Sequence, residues 1–122
     1  FVAIKPNYSL GEMLKKAVSK SKRNIFPVVN DDQEFLGILL LDDIRNIMFD
    51  QSMYEIVLVE ELMHNAPNII FYDEDNMEKI MTKFKESGAW NLPVIKNGKY
   101  HGFISKSKLL TAYRRLLLEV TG

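Results

Sequence analysis

Residues 24–43 occur twice in this chain, and that repetition limits the fold more than any other feature. The first copy is Asn24-Ile25-Phe26-Pro27-Val28-Val29, a short polar break, then Phe35-Leu36-Gly37-Ile38-Leu39-Leu40-Leu41-Asp42-Asp43. The second is Trp90-Asn91-Leu92-Pro93-Val94-Ile95, a break, then Tyr100-His101-Gly102-Phe103-Ile104-Ser105-Lys106-Ser107-Lys108. Pro27 and Pro93 lie 66 positions apart, whereas Gly37 and Gly102 lie 65 apart, because the second break is one residue shorter. A repeated strand–turn–strand, each copy leading into a helix, implies two related modules. The apolar runs are nearly continuous rather than alternating, so both sheet faces are expected to be covered. A half of roughly 60 residues buries little surface alone. The expectation is therefore an α/β (α+β) chain of two modules, 1–64 with a connector and 65–122. Each would run β-α-β-β-α, and the two would stack through their sheets with pseudo-two-fold symmetry.

The opening strand and the helix after it repeat as well, the helix positions at a spacing of 67. Phe1-Val2-Ala3-Ile4 and Asn68-Ile69-Ile70-Phe71-Tyr72 read as short opening strands, the first punctuated by Pro6. Ser9-Leu10-Gly11-Glu12 has capping-box spacing, and Leu10, Met13, Leu14, Ala17 and Val18 follow on one helical face. Met77, Ile80, Met81 and Phe84 echo the first four of these, and Ser87-Gly88 ends that helix. The segment Asn30-Asp31-Asp32-Gln33-Glu34 reads as the turn of one strand pair, and Asn97-Gly98 signals a type I′ turn in the other. Asp42 or Asp43 is expected to open a helix carrying Ile44, Ile47 and Met48, with Phe49 beside them. A connector follows, with a short helical turn over residues 60–64. The last helix, about 107 to 120, carries a wide stripe of Leu109, Leu110, Tyr113, Leu116, Leu117 and Val120, widened by Leu118, suited to the other module or a partner chain.

Composition excludes several classes. Sixteen basic and sixteen acidic residues cancel, which removes the footprint of a nucleic-acid binder. No cysteine is present, so disulfides, thiolate catalysis and zinc–thiolate sites are ruled out. No apolar run approaches the ~18 residues that span a membrane. Phe1-Val2-Ala3-Ile4, with no initiator Met or signal-peptide pattern, reads as the start of a fragment of a longer protein. No nucleophile motif or phosphate loop occurs, so the chain reads as a non-enzyme. His64 and His101 have no metal-ligand spacing, so no metal site is expected.

The repeated hydrophobic-Pro-Val-hydrophobic strand (Phe26-Pro27-Val28-Val29; Leu92-Pro93-Val94-Ile95), followed by Gly-hydrophobic-hydrophobic (Gly37-Ile38-Leu39; Gly102-Phe103-Ile104), resembles the cystathionine-β-synthase (CBS) domain, which occurs in tandem as a Bateman module. Val59-Glu60-Glu61-Leu62-Met63 looks like the segment that introduces the second copy. More finely, Ser21-Lys22-Arg23-Asn24-Ile25-Phe26-Pro27-Val28-Val29, Ile44-Arg45-Asn46-Ile47-Met48-Phe49, Gly88-Ala89-Trp90-Asn91-Leu92-Pro93-Val94 and Ser105-Lys106-Ser107-Lys108…Tyr113-Arg114 resemble the cytoplasmic C-terminal CBS pair of bacterial CLC-family chloride channels and transporters. That resemblance implies a homodimeric regulatory domain at the cytoplasmic face of the membrane. A membrane-embedded anion-transport domain would belong to the same chain.

The family resemblance also implies a ligand. In CBS pairs that bind adenine nucleotides (ATP, ADP or AMP), the motif Gly-h-h-Ser/Thr-x-x-Asp supplies a carboxylate for the ribose hydroxyls and a hydroxyl near phosphate. Here the motif is split. The first copy keeps Asp43 but has Leu40 at the hydroxyl position; the second keeps Ser105 but has Lys108 in place of the acid. The fuller candidate cleft joins Asp43 to Ile70, Ala89, Trp90, Asn91 and Pro93, with Trp90 able to stack on a base. The weaker one joins Ser105 and Lys108 to Ile4, Arg23, Asn24 and Pro27. Each residue also has a plainer reading: Asp43 as a helix cap, Trp90 as core or dimer contact, Lys108 and Arg23 as solvated charges. A structural dimerisation module without ligand and a CBS pair fused to a soluble enzyme remain as alternatives.

Overall fold

Proline decides how each half begins. In the first half Ile4 N–H donates to the Pro27 carbonyl at 2.9 Å, and Val29 N–H donates to the Ile4 carbonyl at 2.9 Å. The next bond of such a parallel ladder would run from the N–H of residue 27 back toward residue 2. Proline has none. The strand expected over Phe1-Val2-Ala3-Ile4 is therefore one parallel bridge, Ile4 to Val28. Pro93 sits at the equivalent place in the second half, where the strand expected from Asn68 to Tyr72 is only Ile70–Phe71, paired with Val94 and Ile95.

This computed structural model describes residues 1–121, with side chains through Arg115. The chain divides into two compact units, Phe1–Asn65 and Ala66–Gly122, one residue beyond the boundary expected from the sequence.

In the first unit α1 (Leu10–Lys16) starts at Ser9. The Ser9 Oγ accepts from Glu12 N–H at 3.2 Å, and Glu12 Oε1 accepts from Ser9 N–H at 3.4 Å. The Ser9 N–H and the Lys16 ammonium hold the Glu12 carboxyl below the usual carboxylate range. The helix is shorter than its apolar stripe. Val18–Lys20 is a 3₁₀ turn, yet Leu10, Met13 and Ala17 are buried as the spacing requires. Strands β1 (Ile25–Val29) and β2 (Phe35–Leu40) pair antiparallel, with Val28 opposite Gly37, Val29 opposite Phe35, and a bulge at Leu36. Asn30 Oδ1 ties their turn by accepting from the N–H groups of Asp32 and Glu34.

The helix expected to run from Asp42 or Asp43 to Phe49 differs in both ends. It opens one residue earlier, as α2 (Leu41–Ile44), and dissolves into turns. Ile44 is buried and its carbonyl takes the N–H groups of both Ile47 and Met48, while Phe49 is 85% exposed. Ile44 is the buried anchor of this segment, and the partly buried Leu41, Ile47 and Met48 pack against the same core. After a 3₁₀ turn (Gln51–Met53) comes α3 (Val59–Leu62). The connector is pinned on both sides of α3: Leu58 bridges Ser9, and His64 bridges Ile38. The core gathers Ile4, Leu10, Met13, Ala17, Phe26, Val28, Leu39, Ile44 and Val59.

In the second unit β3 (Ile70–Phe71), β4 (Asn91–Lys96) and β5 (Lys99–Ser105) lie in that order. The parallel β3–β4 pair needs a crossover, supplied by α4 (Met77–Ser87). Asn76 caps α4 by accepting from Lys79 N–H at 2.9 Å, and Gly88 ends it at φ +67°. Asn97 (φ +52°) and Gly98 (φ +76°) form the expected turn between β4 and β5. A bulge at His101 repeats the one at Leu36. The last helix, α5, is Lys106–Thr121. Ile70, Phe84, Leu92, Val94 and Leu109 form the core. The stripe predicted over Leu116, Leu117, Leu118 and Val120 falls outside the described side chains.

Candidate functional site

The Gly-h-h-Ser/Thr-x-x-Asp positions are where each β-hairpin turns into a helix. The helix start is a capping problem: its first N–H groups need acceptors. In the second unit the Ser105 Oγ accepts from Lys108 N–H at 3.2 Å, the usual hydroxyl cap. In the first unit Leu40 stands at the cap and has no side-chain acceptor. The reciprocal half survives: Asp43, three residues on, accepts from Leu40 N–H on Oδ2 at 2.7 Å. The two copies thus hold complementary halves of one capping box.

Asp43 has a second partner that the sequence did not reveal. His64 Nε2 lies 2.9 Å from the same Oδ2, across 21 residues of chain. His64 Nδ1 lies 3.2 Å from the Asn65 carbonyl oxygen. Both ring nitrogens face acceptors, so the protonated imidazole satisfies both contacts, while either neutral tautomer satisfies one. The side chains are 45% (His64) and 29% (Asp43) exposed, so the pair is open to solvent. Among the described residues nothing donates to Asp43 Oδ1.

The backbone explains how His64 reaches α2. Ile38 N–H donates to the His64 carbonyl at 2.8 Å, and His64 N–H donates to the Ile38 carbonyl at 2.9 Å. This approach crosses Gly37, where a Cβ would lie 2.6 Å from the His64 carbonyl oxygen. Gly37 is in the sequence motif, but nothing local signals which segment its missing side chain admits.

The other predicted residues differ in what they can offer. Trp90 is 73% exposed, with Lys106 Nζ 5.4 Å from its ring centroid. Its carbonyl accepts from Lys106 N–H at 2.8 Å, just as the Asn24 carbonyl accepts from Leu41 N–H at 2.8 Å in the first unit. Asn91 is half-buried at the start of β4, opposite Ser105. Ala89 is half-buried and its N–H donates to Ser87 Oγ. Ile70, Pro93, Ile4 and Pro27 are buried and act through backbone and core. Arg23 is exposed, its guanidinium 4.6 Å from the Phe1 ring centroid. Lys108 lines an open groove on α5 of about 260 Å³ with Ser107, Thr111, Ala112 and Arg115. Asp43, Ile4, Arg23, Asn24 and Pro27 belong to the first unit; Ile70, Ala89, Trp90, Asn91, Pro93, Ser105 and Lys108 belong to the second. No cluster of metal-ligating side chains occurs among the described residues, and no helix there is long and apolar enough to cross a membrane.

The repeated bridge, bulge and cap agree with a direct match: the CBS domain family model covers residues 1–50 and 59–115. The chain belongs to the CBS domain family, in tandem. Solved structures share the fold of this CBS pair. CBSX2 in complex with AMP is 24% identical, with a TM-score of 0.70 over 93% of this chain and 87% of that one. CbpB in complex with c-di-AMP is 19% identical, with a TM-score of 0.76 over 98% and 81%. The cytosolic domain of the Mg²⁺ channel MgtE in complex with ATP is 18% identical, with a TM-score of 0.70 over 92% of this chain and 44% of that one. No curated protein matches the CBS pair significantly in sequence.

Proposed function

We propose that this CBS pair is a regulatory module, not an enzyme, that senses an adenine nucleotide through Asp43. The observation that carries the reading is the Asp43 carboxylate at the start of α2. One oxygen is tied to Leu40 N–H and His64; the other is uncommitted among the described residues. A carboxylate oxygen of that kind accepts hydrogen bonds from ribose hydroxyls. Three structural relatives that hold AMP, c-di-AMP or ATP support the ligand class. Regulation follows only if the ligand binds two arrangements of the module unequally.

The resemblance of residues 21–29, 44–49, 88–94 and 105–114 to CLC-family sequences extends the proposal. The pair would dimerise at the cytoplasmic face of a membrane and bias an anion pathway carried by the same chain. Sequence upstream of Phe1 tests this: apolar stretches of about 20 residues support a membrane partner, and an enzyme domain there refutes it.

Calorimetric titration with ATP, ADP and AMP tests sensing. Heat at or below millimolar nucleotide, abolished by Asp43→Ala, is the expected result; no heat at millimolar nucleotide sinks it. A second reading, a dimerisation module with no ligand, draws on Leu40 and Lys108, each of which removes half of the nucleotide motif. Sedimentation separates the two: a dimer indifferent to nucleotide favours the second.

A further inference from the structure

We infer that His64 is a positioning residue for Asp43, fixing the carboxylate so that Oδ1 faces the vicinal hydroxyls of a bound nucleotide. The inference rests on the nucleotide reading above and names a residue that the binding motif does not contain.

The argument starts from Leu40. A cap hydroxyl would normally secure this helix start, leaving the acid at the third helical position one reciprocal bond to the cap N–H. With Leu40 the hydroxyl is gone, and the Leu40 N–H is the only tie to Asp43 from its own helix. The outer torsion of an aspartate is broad and two-fold, so one donor leaves its two oxygens free to exchange. A second donor from another segment removes that freedom. His64 Nε2 converges on the oxygen that already takes Leu40 N–H, at 2.9 Å against 2.7 Å.

The imidazole is itself held. The His64 backbone pairs with Ile38 in both directions, and Nδ1 faces the Asn65 carbonyl. Lone-pair capacity on Oδ2 is therefore occupied by the protein, and Oδ1 is left for ligand.

The test is titration of the 122-residue chain with ATP and AMP in four forms: unchanged, His64→Ala, His64→Gln and Asp43→Ala. His64→Ala should weaken binding about ten-fold, the worth of one charge-assisted hydrogen bond at a half-exposed site. In His64→Gln the terminal amide nitrogen can reach the Nε2 position and donate, so affinity should stay within about three-fold. Asp43→Ala should abolish binding. Affinity unchanged in His64→Ala, or His64→Gln as weak as His64→Ala, overturns the inference while leaving nucleotide binding intact. Absence of binding by the unchanged chain overturns the nucleotide reading and this one with it. The tie has its own readout: in ¹⁵N-edited spectra the His64 imidazole should show a protonated Nε2 whose shift moves in Asp43→Ala. An Nε2 signal indifferent to that change refutes the contact whatever the nucleotide does.

Discussion

Substituting alanine for Gly37 should unfasten the connector from β2. The added Cβ would sit 2.6 Å from the His64 carbonyl oxygen, a backbone atom that cannot swing aside like a side chain. Relief requires the residue-64 backbone to retreat, which breaks both hydrogen bonds between Ile38 and His64. Two such bonds are worth about 1–3 kcal/mol together. The entropic gain of replacing glycine returns about 0.4–1 kcal/mol, leaving a net loss of about 1–2 kcal/mol. For a unit of this size that lowers the midpoint by roughly 4–15 °C. The companion change, Gly102→Ala, meets no atom within 4 Å but forces alanine to φ +137°, a cost of about 1–3 kcal/mol. Both variants destabilise, by different means, and hydrogen exchange tells them apart. Gly37→Ala should strip protection from the amides of residues 38 and 64; Gly102→Ala should leave those two untouched. A Gly37→Ala chain with unchanged stability and both amides still protected would refute the close-approach argument.

Two further outcomes follow from titrating groups in the second unit. Burial would raise the Asp75 carboxyl, but Lys83 at 2.6 Å and the Phe71 N–H at 2.8 Å outweigh it and hold the net value low. A lowered folded value contributes stability above about pH 4 and loses it as pH falls through the folded value. Asp75→Asn should therefore cost about 1–2 kcal/mol at neutral pH and flatten the acid limb of the stability curve; an unchanged acid limb would contradict the pairing. The Tyr100 hydroxyl is pushed up to about 12 by burial. Its phenolate should appear late in an absorbance titration, and stability should fall as pH rises from about 10, the unfolded value, toward 12; Tyr100→Phe should remove that loss.

Much of each unit was legible because its signals span four residues or fewer. The Ser9–Glu12 capping box, the Gly88 stop and the Asn97-Gly98 turn are local bargains between a side chain and the nearest backbone, and each formed as read. The repeat itself survives as geometry: the same parallel bridge after each proline, the same bulge before each glycine, the same carbonyl held at residues 24 and 90. Helix lengths were less legible. Apolar spacing ran on to Val18 and to Phe49, but spacing records which side chains face the core, not where the N–H groups stop finding carbonyls. Pro27 and Pro93 were read as motif positions, and their effect on the neighbouring strand emerged only once the pairing partner was known.

The sequence by itself determined that this is a tandem repeat of CBS domains, where its strand pairs turn, and that the Gly-h-h-Ser/Thr-x-x-Asp pattern is divided between Asp43 and Ser105. Tertiary structure alone decided that His64 meets Asp43, that Leu58 lies along Ser9, and that Gly37 is small for the sake of residue 64. These contacts join segments far apart in the chain. They depend on the register in which the connector closes back onto the first unit, and no side-chain pattern within either segment encodes that register.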